Sequence, residues 1–232
     1  MKILAVDTAV KSCSVAIIDK ESLLAEVTLG VEQTHSKHLM EMINTTVELS
    51  GIIISELDGF AVTRGPGSFT GLRIGISSIK GLAAATRKPL VGVSSLDALA
   101  MQCFFSQHLI CPLLDACRGD VYFSHYRFNN GILKKEIDEQ VLPVGEAVCD
   151  INEECIFVGN GAFVYQKIIR DKLGGLAHFA LPHQTTIRAS TIANIGRHRF
   201  ENNDTDDISD FVPFYMRKAY ADLSSNSSKS SH

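Results

Sequence analysis

Apolar residues recur along this chain with two periods. Residues 3–6 form a short apolar run, and 14–18 are apolar and β-branched. Residues 23–29 alternate, placing Leu23, Ala25, Val27 and Leu29 on one face. Three strands so close in sequence predict antiparallel hairpins. The period then lengthens. Thr34 or Ser36 can cap a helix that runs to about Ser50, with Gly51 as its stop. A strand over 60–63 and a break at Gly65-Pro66-Gly67 follow. Ser68 or Thr70 can cap a second helix to about Thr86, and a strand over 89–93 leads to a helix over 95–105. The first hundred residues thus read β-β-β-α-β-α-β-α, a mixed sheet with helices packed on it.

The strand pattern restarts near His108. Runs over 109–114, 120–128 and 133–141 predict a second set of three strands. A short helix over 146–150, a strand over 156–158, a turn at Gly159-Asn160-Gly161 and a helix over 162–173 come next. The order of elements partly repeats that of the first half, although no sequence repeat is detectable. A last helix spans 189–200, a polar loop 202–207 and a closing segment 210–220. The Ser-rich stretch 224–232 reads as a mobile tail.

Composition narrows the class. The 232 residues are 45% hydrophobic and 21% charged, which is ordinary globular usage and argues against disorder or a disulfide framework. Lys plus Arg is 22 and Asp plus Glu is 26, for a formal charge of −4. A chain so balanced does not hold nucleic acid by overall charge, although a local basic patch, with Arg217 and Lys218 as candidates, stays open. No apolar run approaches a membrane span. The first residues resemble a signal peptide only until Asp7, and the expected compartment is the cytosol. The cysteines at 13, 103, 111, 117, 149 and 155 contain no C-x-x-C pair and read as reduced, partly buried thiols.

Few motifs could carry chemistry. Asp7-Thr8 follows the first strand, where a carboxylate could hold a metal–phosphate; a side-chain-capped turn is the other reading and, from position alone, the stronger. Residues 64–73, Arg-Gly-Pro-Gly-Ser-Phe-Thr-Gly-Leu-Arg, end where a helix begins. Free N–H groups there would attract an anion. The spacing G-x-G-x-x-x-G is neither a Walker loop nor a dinucleotide fingerprint, so a turn and cap is the plainer account. Gly159 and Gly161 repeat the strand–turn–helix logic and could accept an adenine ring, or could simply serve a turn that needs positive φ. His35 and His38 lie three apart on a helix without a third ligand nearby. His178 and His183 flank Pro182 with no ligand spacing, and no metal site is read from the sequence. No G-x-S-x-G, H-E-x-x-H or Cys–His signature occurs.

Helix faces carry more. On the helix after His35, Leu39, Met40, Ile43 and Val47 cover one arc, and Met42 and Leu49 extend it the other way. On the next, Leu72, Ile76, Ile79 and Ala83 form a stripe suited to the sheet, while Ile74, Ser78, Gly81, Leu82 and Ala85 form another. Arg73 and Lys80 are its only charges. A helix apolar nearly all round needs cover on its outer side, and small residues there let another backbone approach. The candidate partner surface comprises Leu39, Met40, Ile43, Leu72, Arg73, Ile76, Ile79, Lys80 and Gly81. Neighbouring helices of the same chain are the alternative cover.

Several of these stretches, together with residues 3–8, 64–75 and 89–100, Asp115-Ala116 with Gly119, Val121 and Tyr122, and the closing 213–217, resemble the TsaB/YeaZ family. The likeness runs from the first strand to about Ala219. It implies an actin-like ATPase-domain (ASKHA) α/β fold of two ribonuclease-H-like halves, here 1–105 and a smaller 106–222 whose last helix packs back on the first, with 223–232 as tail. It also implies a role in forming N6-threonylcarbamoyladenosine beside the anticodon of tRNAs that read codons starting with A. In that system TsaD transfers the threonylcarbamoyl group from its AMP ester. TsaB is its non-catalytic paralogue, pairs with it through helices of the first half, and supports the ATPase TsaE. Homodimers form by similar surfaces, and tRNA is met only within the complex.

The resemblance implies one chemical difference from TsaD. Where TsaD carries an H-x-x-x-H metal pair, the aligned positions here are Ser95 and Leu99, which cannot replace two imidazoles. No resident cofactor is therefore expected in the isolated chain, and a nucleotide is left to the complex interface; Asp7, Thr8, Gly159 and Gly161 are the candidate contacts for a nucleotide in this chain's own cleft. The usual D-A-R stretch is Asp115-Ala116-Cys117 here, and Asp120 stands for the following Glu. The rival readings are an active ATP-dependent actin-like enzyme and an M22-type peptidase.

Overall fold

The computed structural model describes residues 1–30 and 35–216, with side chains of the first helix described from His38 onward. The cap proposed at Thr34, the basic Arg217 and Lys218, and the Ser-rich tail lie outside the described residues, as do the side chains behind the cap at Ser36 and the pair role of His35.

The first half opens with strands β1 (Lys2–Asp7), β2 (Ser12–Asp19) and β3 (Ser22–Gly30), then helix α1 (His35–Ser50), β4 (Gly59–Gly65), α2 (Phe69–Thr86), β5 (Leu90–Ser94) and α3 (Ser95–Met101). The second half runs β6 (Leu109–Asp115), β7 (Asp120–Asn129), β8 (Ile132–Pro143), α4 (Val144–Ala147), β9 (Cys155–Val158), α5 (Asn160–Val164), α6 (Gln166–Leu173), β10 (Ala177–Phe179) and α7 (Ala189–Glu201). Each half builds a five-stranded mixed sheet. The orders are β3-β2-β1-β4-β5 and β10-β9-β6-β7-β8, so reading the second backwards gives the same topology. In both, the first three strands pair antiparallel and the remaining two pair parallel. The repeat anticipated from element order is therefore a repeat of sheet topology.

Strand alternation divides the core. Leu4 and Val6 of β1 join Val15, Ile17, Phe60 and Val62 beneath α1 and α2. Ile3 and Ala5 face the other side, with Ala16, Ala61 and Val91 beneath α7. Small residues on that side admit the helix closely: a Cβ on Gly196 would stand 2.9 Å from that of Ala61. The last helix thus covers the first sheet, and a sheet buried on both faces accounts for the near-continuous apolar strands. A separate core under α4, α5 and α6 contains Leu113, Phe123, Phe157 and Ile169.

Three details depart from the sequence reading. Helix α3 stops at Met101 rather than 105, because the Gln102 amide bonds Gln184 O and Thr186 O while its oxygen accepts from Arg188 N. The helix expected over 162–173 is two, broken at Tyr165, whose hydroxyl reaches Asp115 Oδ1 at 2.8 Å. On the edge strand β3 a register shift opposite Ile17 and Ile18 breaks the alternation, and Leu23, Leu24 and Leu29 are exposed.

Candidate functional site

The residues singled out from the sequence fall in two places, the strand mouths and the outer helices. At the first mouth Asp7 ends β1 and is wholly buried. Its Oδ1 accepts hydrogen bonds from Thr63 Oγ1 at 2.8 Å and Ala9 N at 3.1 Å, while Oδ2 has no partner among the described residues. Burial disfavours the charged form and pushes this carboxyl up to about 7, against the pull of those donors. Thr8, equally buried, donates from Oγ1 to Gly71 O at 2.8 Å.

The glycine-rich stretch explains that closeness. Ser68 caps α2, accepting from Gly71 N at 3.2 Å. A Cβ on Gly67 would meet Ala9 O at 2.4 Å, one on Gly71 would meet Thr8 O at 2.1 Å, and one on Gly75 would meet Thr8 Oγ1 at 2.2 Å. These glycines let the start of α2 press against the β1–β2 turn.

The second mouth is built alike. Gly159 has φ +102°, and a Cβ there would stand 2.4 Å from Leu113 O and 3.0 Å from Leu99 Cδ1. A Cβ on Gly161 would meet the β6 backbone at 3.0 Å. Asn160 Oδ1 accepts from Asp115 N at 3.2 Å. Between the mouths lies one continuous apolar cluster that includes Ala9, Leu72, Leu96, Leu99, Leu114 and Val158. Ser95 and Leu99, one helical turn apart on α3, are both 0% exposed. The donor set is thus a hydroxyl and a hydrocarbon inside a packed core, which does not fit a transition metal.

The outer helices divide differently from the expected surface. Leu39, Ile43, Leu72, Ile76 and Ile79 are at most 3% exposed. As a partner surface this part of the set is corrected: these side chains fasten α1 and α2 to their own chain. Arg73 and Lys80 are engaged by the closing segment. Arg73 lies 3.7 Å over the Phe69 ring and donates from Nε to Tyr215 Oη at 2.9 Å, and Lys80 Nζ donates to Phe211 O at 2.9 Å. The outward stripe of α2 is instead Ser77, Gly81, Ala84 and Ala85, flanked by half-buried Ile74 and Ser78. Met40 on α1 is 46% exposed and Leu49 66%. Beyond its own helix backbone, no atom of the described residues lies within 4 Å of where a Cβ on Gly81 would stand. His38 faces Glu41 at 4.0 Å on the surface. Among the described residues no helix is long and apolar enough to cross a membrane.

Residues 23–224 match the family model described as TsaD, tRNA N6-adenosine threonylcarbamoyltransferase. The tRNA threonylcarbamoyladenosine biosynthesis protein TsaB of Bacillus subtilis (strain 168) is 29% identical over 225 residues, covering 96% of each chain. That of Escherichia coli (strain K12) is 35% identical over 167 residues, covering 69% of this chain and 72% of that protein. The solved structure of YeaZ from Pseudomonas aeruginosa superposes with a TM-score of 0.80 at 25% identity, covering 92% of this chain and 99% of that one. The two-sheet architecture is the actin-like ATPase-domain fold.

Proposed function

From the premise that this chain belongs to the TsaB/YeaZ family, we propose that it is a non-catalytic partner of TsaD in the formation of N6-threonylcarbamoyladenosine. The relatives are named for that biosynthesis, and the TsaD family model spans most of this chain. One observation carries the non-catalytic reading: Ser95 and Leu99 are core residues, with Leu99 packed toward Gly159 in the space between the mouths. A catalyst would need polar, reachable groups there.

In this reading the chain acts by pairing. The outward stripe of α2 offers Ser77, Gly81, Ala84 and Ala85, and Met40 of α1 is exposed as well. Small residues permit a second helix to approach closely, and the bordering apolar atoms supply the burial that stabilises the pair. TsaD is the proposed occupant, the same surface serves a second copy of the chain, and TsaE joins the pair. tRNA is contacted only in the assembly.

Copurification from cells with tagged TsaD, followed by nucleoside analysis of tRNA from depleted cells, tests this. Stable association and loss of the modified nucleoside are expected. An unassociated chain that turns over ATP by itself would favour the enzyme reading instead.

A further inference from the structure

His178 showed no ligand spacing in the sequence, yet the second sheet gathers it with two other donors. Strands β10, β9 and β6 lie side by side and parallel, with Ala177, Cys155 and Leu109 in one row. Residues 154 and 108 therefore leave the sheet at the same level, tied by Leu109 N to Glu154 O at 3.2 Å, and His178, opposite Ile156, stands two residues further along. Both imidazoles turn a ring nitrogen to the same carboxylate. His108 Nδ1 is 3.3 Å from Glu154 Oε2, and His178 Nε2 is 3.9 Å from Glu154 Oε1. The rings stack at 5.2 Å.

We propose that His108, Glu154 and His178 form a binding site for a late first-row divalent cation, zinc foremost, at the amino-terminal edge of the second sheet. Two imidazoles and one carboxylate are a donor set suited to zinc and ill suited to magnesium. All three ligand atoms lie within 4.8 Å of one another. Ligands about 2.0–2.1 Å from a tetrahedral zinc stand roughly 3.4 Å apart. Closing that difference takes side-chain rotation alone, since the side chains are 42%, 58% and 47% exposed and the backbone that carries them is paired in a sheet. The imidazoles must leave their stacked arrangement to converge. His108 is held from behind, its N–H donating to Ser106 Oγ at 3.2 Å. A groove of about 560 Å³ lined by Phe104, Phe105, Gln107, Ile156 and Gln184 adjoins His108.

This site is separate from the mouths. Asp115 and Gly159 lie at the opposite ends of β6 and β9, and the seven residues of β6 span roughly 20 Å. Binding here is therefore independent of any transfer chemistry.

The test is titration of the tag-free, reduced full chain with Zn²⁺ against a chromophoric chelator. One ion per chain is expected. His108→Ala and His178→Ala should each weaken it by at least the roughly 10- to 100-fold that loss of even an outer-shell partner costs, while His198→Ala leaves it unchanged. Proton resonances of the His108 and His178 rings, and of no other histidine, should move on zinc addition. Circular dichroism confirms that these surface variants fold. Wild-type affinity in the His108→Ala/His178→Ala double variant, zinc-induced shifts confined to other histidines, or no binding by the wild type, would each overturn the site.

Discussion

Leu99 Cδ1 stands 3.0 Å from the point where a Cβ on Gly159 would be. The contact joins a helix of the first half to the strand turn of the second, and closes the space between the two mouths. Leu99→Ala should open a cavity there and cost about 2–5 kcal/mol, read as a lower urea midpoint at unchanged slope. Gly159→Ala should cost more than a helix glycine would, since its φ of +102° and the Leu113 carbonyl at 2.4 Å both oppose a side chain.

Gly75 and Gly81 lie on the same helix and should respond oppositely to alanine. At Gly75 the new methyl meets Thr8 Oγ1 at 2.2 Å, so Gly75→Ala should lower thermal stability. At Gly81 the space is open, and Gly81→Ala should raise it by about 1 kcal/mol through helix propensity. Gly81→Glu should leave the isolated chain folded and weaken association with TsaD in a pull-down, because the charge would be buried without a partner. Unchanged association would remove α2 from the interface.

Asp7 makes stability depend on pH. Its folded pKa of about 7 lies above the ordinary 3.8, so between those values the folded chain binds more protons than the unfolded one. Stability should therefore fall as pH rises from 4 to 7, by roughly 4 kcal/mol for this group, and level off above. Asp7→Asn should flatten the curve and make the variant the more stable chain at pH 8. Urea unfolding across that range checks both.

The closing segment is clipped by Arg73 and Arg64. Phe214 N donates to Arg64 O at 2.7 Å, and Arg64 Nε donates to Val212 O at 3.1 Å. Removing the Arg73 stack and bond by Tyr215→Ala should speed hydrogen exchange at the Phe214 amide while leaving exchange in β1 unchanged. Equal rates in variant and parent would show that the clip does not depend on Tyr215.

Local chemistry made much of this legible. The Ser68 cap, the glycine break before it and the apolar strands of the two halves obey rules that act within a few residues. What escaped depends on tertiary partners. Helix α3 ends where Gln102 reaches residues 184–188, and β10 exists only beside β9. A helical wheel separated two stripes on α2, but could not say that the sheet takes Leu72, Ile76 and Ile79 completely while the outer side is small and open. Arg73 and Lys80 looked like surface charges because Phe211 and Tyr215 are more than a hundred residues away. The His108–Glu154–His178 cluster comes from three strands, so no spacing could announce it.

Threonylcarbamoyl transfer to tRNA, reconstituted with and without TsaD, tests the central claim most directly. The account predicts no modified nucleoside from this chain alone, and formation with TsaD that falls when this chain is withheld. Transfer by this chain in the absence of TsaD would contradict it.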